Sequence, residues 1–122
     1  MINVVCLYWG NKYKTEFVNV LYNMVERHMT LPHKFIIYTD HVKMQKLVKG
    51  ENVDVRKLPF HDYTVWWNKL TLFSPEANLE GDCLYFDLDV VITDNIDCFA
   101  TYEPDTKFVG MNDFNKHTGM FN

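Results

Sequence analysis

Two aspartates separated by one leucine, Asp87-Leu88-Asp89, interrupt the most apolar stretch of the chain, Cys83 to Val91. In an extended segment residues two apart project to the same side, so both carboxylates can face one ion while Leu88 turns into the core. Like charges side by side are costly without a cation, and the apolar flanks Leu84-Tyr85-Phe86 and Val90-Val91-Ile92 make an unpaired carboxylate more expensive still. Hard oxygen ligands suit Mn²⁺ or Mg²⁺, which keep coordination positions open for phosphate oxygens. A bare Asp-x-Asp at a strand end more often caps a turn; here the flanks favour a metal.

The elements that must position these groups follow from periodicity. Ile2 to Tyr8 is a β-branched, apolar run that predicts a buried strand, broken by Trp9-Gly10-Asn11. Phe17, Val18, Leu21, Met24, Val25 and Met29 recur at three- and four-residue spacing and predict an amphipathic helix that Leu31-Pro32 ends. Lys34 to Thr39 predicts a second strand, and Val42, Leu47 and Val48 a weaker helix before Gly50. Val53 to Leu58 alternates as a half-buried strand closed by Pro59. Val65 to Phe73 predicts a helix presenting Trp66, Trp67, Leu70 and Phe73, stopped near Ser74-Pro75. The aspartate strand comes next, then a helical turn at Asn95 to Ala100 and a last strand from Lys107 to Met111.

Alternating strands and helices imply an α/β domain with a mostly parallel sheet covered on both faces, since parallel neighbours need crossovers. Such sheets bind ligands at the carboxyl ends of their strands, where Asp87 and Asp89 fall. Length supports one core, so residues 1–122 are read as a single domain. The chain is 48% hydrophobic and 23% charged, which is ordinary for a folded protein. Its formal net charge of −4 argues against a nucleic-acid partner, which needs clustered Lys and Arg. No apolar run approaches a membrane span and Met1 to Val5 has no export signature, so a soluble, cytoplasmic protein is expected. Cys6, Cys83 and Cys98 are widely spaced, which predicts buried free thiols rather than a disulfide framework or a zinc site.

Leu84-Tyr85-Phe86-Asp87-Leu88-Asp89-Val90-Val91-Ile92 resembles the metal motif of glycosyltransferase A enzymes, including the glycogenin-like family 8 and small bacterial and phage relatives. The resemblance implies a minimal version of that nucleotide-diphospho-sugar transferase fold, with helices sandwiching the sheet. It implies that Asp87 touches the ribose or sugar of a donor and joins Asp89 at the metal that bridges the diphosphate. Trp66-Trp67-Asn68-Lys69-Leu70 is similar to a helix that brings a cation, here Lys69, near the donor; a solvated lysine is the plainer alternative, and the tryptophans are core or pocket wall. Tyr8-Trp9-Gly10 resembles the loop that receives the base, with Gly10 permitting close approach. Thr39-Asp40 matches the position that contacts the nucleoside, although Asp40 also reads as a helix cap. Asp113-Phe114 matches the approach to the sugar, Asp113 serving as a base or sugar ligand. His117 is a candidate third metal ligand.

The implied function is Mn²⁺- or Mg²⁺-dependent transfer or hydrolysis of the sugar of a nucleotide sugar, by resemblance a UDP-sugar. The acceptor is unidentified and self-association is possible. Phe121-Asn122 looks like the start of a Phe-Asn-Ser segment, so the resemblance covers the donor-binding half of a typical enzyme and leaves out its acceptor segment and C-terminal histidine. A non-catalytic nucleotide-sugar-binding or structural module is therefore the main alternative. A haloacid-dehalogenase phosphatase, whose motif Asp87-Leu88-Asp89-Val90-Val91 also fits, needs a Ser/Thr, a Lys and an acidic pair well downstream of the nucleophile, for which Asp89 lies too near the end. Glycines at 10, 50, 81, 110 and 119 are too scattered for a phosphate-binding fingerprint.

Overall fold

The computed structural model describes residues 1–41, 48–59, 65–103, 105–106 and 108–110. The four apolar runs form one four-stranded sheet of β1 (Ile2–Tyr8), β2 (His33–Thr39), β3 (Val53–Lys57) and β4 (Cys83–Tyr85), in the order β3-β2-β1-β4. Every pairing is parallel. The chain is thus an α/β protein, and all four carboxyl ends lie along one edge.

Side chains alternate across the sheet as extended backbone requires. Val4, Cys6, Tyr8, Phe35 and Ile37 face one side, where Val18, Leu21 and Val25 of helix α1 (Glu16–His28) close the larger core. Val5, Leu7, Ile36 and Tyr38 face the other, covered by Leu58 and Ala77 with Trp9, Leu72 and Leu79. Both strand centres are therefore almost fully excluded from water, which is why β1 and β2 read as continuous apolar runs. The carbonyl of His28, near the end of α1, accepts from the Ile96 backbone N–H at 2.9 Å, and Asp97 at the start of α2 (Asp97–Thr101) accepts from the Thr30 and Leu31 backbone and the Thr30 hydroxyl. These bonds replace the partners a helix end lacks.

Four expectations change. The segment Val65–Phe73 winds as a 3₁₀ helix, three residues per turn, and buries Asn68 and Thr71 while Trp67, Leu70 and Phe73 are exposed. Hydroxyls compete for the backbone here: Thr71 donates to the Asn68 carbonyl at 2.8 Å and Ser74 to that of Thr71 at 2.6 Å. The aspartate strand is short, ending at Tyr85: among the described residues β4 has β1 as its strand partner, and Asp87 and Asp89 are drawn to side-chain partners outside the ladder. Phe108 to Gly110, within the expected last strand, is not in a strand. Cys83 and Cys98 are exposed, since one lies on the edge strand and the other on a five-residue surface helix, whereas Cys6 is buried. The expected helix at 42–47, together with Asp113, His117 and Phe121-Asn122, lies outside the described residues.

Candidate functional site

The chain lays β1, β2 and β3 outward on one side and then returns to place β4 on the opposite flank of β1. The strand order therefore reverses between β1 and β4, the place where open parallel sheets bind ligands, and the chain after each of these strands joins the α1-side core. Tyr8-Trp9-Gly10 ends β1, Thr39-Asp40 ends β2, and Asp87-Leu88-Asp89 follows β4 within a turn.

Leu88 is buried in the α1-side core, so the two neighbouring aspartates are left toward the surface, as the alternation of charge and apolarity demands. Asp87 is the more engaged. Lys69 Nζ lies 2.8 Å from its Oδ1 and 3.1 Å from its Oδ2, and the Tyr85 hydroxyl donates to Oδ1 at 2.9 Å. The same ammonium stands 5.6 Å from the Tyr85 ring centre. Burial, and then the Asp87 charge beside it, pushes the Tyr85 phenol well above its ordinary value, so it stays a donor. Asp89 is exposed and accepts the Tyr13 hydroxyl on Oδ2 at 3.1 Å; among the described residues it pairs with no cation.

The β1 and β2 ends are joined to one another. Gly10 sits at φ +66°, a conformation that favours glycine, and its N–H points at Asp40 Oδ2 at 3.5 Å. His41 Nε2 donates to the Gly10 carbonyl at 2.9 Å, and the His41 backbone N–H donates to Thr39 Oγ1 at 3.0 Å. Tyr8 is almost fully buried, with the His41 ring 4.7 Å from its own, so the imidazole rather than the phenol is what a ligand meets there. Tyr8 also donates to the Tyr13 carbonyl at 3.2 Å. Trp9 packs against the second core.

The carboxyl edge thus gathers Gly10, Asp40, Lys69, Asp87 and Asp89. Sequence reasoning missed Tyr13, His41 and Tyr85. Tyr85 carries a readable signal, standing two residues before Asp87 and so on the same side of an extended strand; Tyr13 and His41 carry none.

For a divalent cation, the turn offers two hard carboxylates, and Mg²⁺-type ions commonly take one or two with phosphate oxygens completing the shell. Among the described residues nothing bonds Asp89 Oδ1, while Asp87 is already paired with Lys69. That donor chemistry fits. Among the described residues no group of three or more His, Cys, Asp or Glu converges as a preformed cage. No described helix is long and apolar enough to cross a membrane.

Asn68, next to Lys69, is 3% exposed, and among the described residues its Oδ1 accepts no hydrogen bond. Leaving an acceptor so costs about 1–3 kcal/mol. Comparison of the chain with protein-family models, with curated proteins and with solved structures returned no match.

Proposed function

We propose that the chain is a GT-A-like domain that binds a nucleotide sugar, a UDP-sugar by resemblance, at the carboxyl ends of β1 and β4, and transfers or hydrolyses its sugar with Mn²⁺ or Mg²⁺. The observation that supports this reading is the pairing of Asp87 with Lys69 beside a second carboxylate, Asp89, at the point where the strand order reverses. A cation and two carboxylates at one strand end match what a diphosphate and its counter-ion require.

On this reading the base lies over the loop at Gly10, where the surroundings are open to 4 Å, and the nucleoside meets Asp40. Asp89 and Asp87 hold the metal, which when bound neutralises charge on the leaving diphosphate. Lys69 adds a second positive charge there once the phosphates compete with Asp87 for its ammonium. Tyr85 keeps a hydroxyl on Asp87 throughout and so fixes the carboxylate while its lysine partner turns away. The reading assigns the protein to the cytoplasm, where free cysteines persist.

Calorimetric titration with UDP and GDP, with and without Mn²⁺, tests it. Metal-dependent binding of one nucleotide, weakened at least tenfold in Asp89→Ala, is expected; binding by neither nucleotide in any condition would sink the proposal.

A further inference from the structure

A tyrosine hydroxyl joins the loop after β1 to the turn after β4. Tyr13 is half-buried; its ring lies 5.1 Å from that of Phe17 and its carbonyl takes the Tyr8 hydroxyl. Those contacts lock the phenol to the β1 end, and its hydroxyl then reaches across to Asp89 Oδ2. The partner oxygen of Asp89 carries no bond from the described residues, so the carboxylate can hold Tyr13 on one side and a cation on the other.

We infer that Tyr13 is a positioning residue that couples cation binding at Asp89 to nucleoside binding at the Gly10 loop. The inference rests on the donor-site reading above. A cation held by Asp89 would restrict rotation of the carboxylate, and with it the Tyr13 hydroxyl and, through the Tyr13 backbone, the residues between Gly10 and Tyr13. A loop already ordered loses less freedom when a base lands on it, so the cation tightens nucleoside binding through the protein. Linkage makes the effect reciprocal: the nucleoside tightens the cation by the same factor.

Uridine separates this route from direct contact, because it has no phosphate to touch the metal. Binding of uridine and of UDP is measured by NMR titration with and without Mg²⁺, in the native chain and in Tyr13→Phe, which keeps the ring and its contact with Phe17. In the native chain Mg²⁺ should strengthen uridine binding by roughly fivefold, the low end of ordinary allosteric coupling. In Tyr13→Phe that gain should fall below about twofold, each ratio being taken against the same protein's metal-free uridine binding. If Mg²⁺ strengthens UDP but not uridine in the native chain, or strengthens uridine equally in Tyr13→Phe, the coupling role is overturned and the donor site stands. If Mg²⁺ strengthens neither ligand in the native chain, the donor-site reading falls and takes this inference with it.

Discussion

The central strands and the aspartate turn are held by different forces. β1 pairs with β2 along its whole length, from Ile2 with His33 to Tyr8 with Thr39, and side chains on both faces are buried. β4 pairs with β1 over three residues and, among the described residues, borders no other strand. Beyond it the chain is fixed by the buried Leu88 and by side-chain bonds from Lys69, Tyr85 and Tyr13. Burial and backbone ladders are not weakened by ionic screening, whereas bonds among exposed charges are. The scaffold is therefore insensitive to conditions that the turn responds to, and a ligand that exchanges one charge partner for another can act on the turn without unfolding the sheet.

The comparison breaks most visibly at the core. Leu21→Ala removes a side chain with no exposure from the α1 face and should cost about 3 kcal/mol, read as a lowered urea midpoint. Asp89→Asn should do the reverse, lowering any transferase or hydrolase rate on the order of 10² while leaving the urea midpoint in place. If Asp89→Asn shifted the midpoint as far as Leu21→Ala, the separation of scaffold from turn would be wrong.

A smaller effect of opposite sign comes from Asn68. Replacing it by Leu removes the unpaired buried acceptor and should raise stability by about 1 kcal/mol. A loss of stability would show that its amide has a structural partner after all.

The smallest effect is on the acid limb of the stability curve. Bonds from the Thr30 hydroxyl and backbone, and from Asn95, hold Asp97 below its ordinary value of 3.8. The unfolded chain then binds the proton first, so this stabilisation is complete above about pH 4 and fades as pH falls through the lower folded value. Asp54 behaves alike, its burial outweighed by Arg56 and Lys34. Asp97→Asn should flatten the fall in stability below pH 4 without altering the salt response of the turn. An unchanged acid slope would mean that Asp97 is not a source of it.

The sheet was legible because β1, β2 and β3 are apolar or alternating runs bounded by breakers such as Gly10 and Pro59. The helix α1 announced itself by spacing. Val65–Phe73 misled for a physical reason: at three residues per turn the stripe that a 3.6-residue period assigns to the core is split, and Trp67, Leu70 and Phe73 align on the exposed side. β4 misled because apolar flanks alone do not reveal whether a strand has a neighbour on both edges. Asp87, Lys69 and Asp40 were legible as chemistry through type and position. Tyr13 and His41 were not, since a tyrosine in a polar loop and a histidine after a strand acquire partners only when the chain folds back.

Cys6 gives the molecule an internal clock. It lies in the middle of β1 with no exposure, and burial pushes its thiol far above the ordinary range, so no thiolate forms in the folded state. An alkylating reagent should modify exposed Cys98 and Cys83 first, Cys83 more slowly because partial burial raises its thiol, and reach Cys6 only when β1 separates from its neighbours. The appearance of the third adduct against time then measures the separation of β1 from its neighbours, with no amino-acid substitution and without a denaturant.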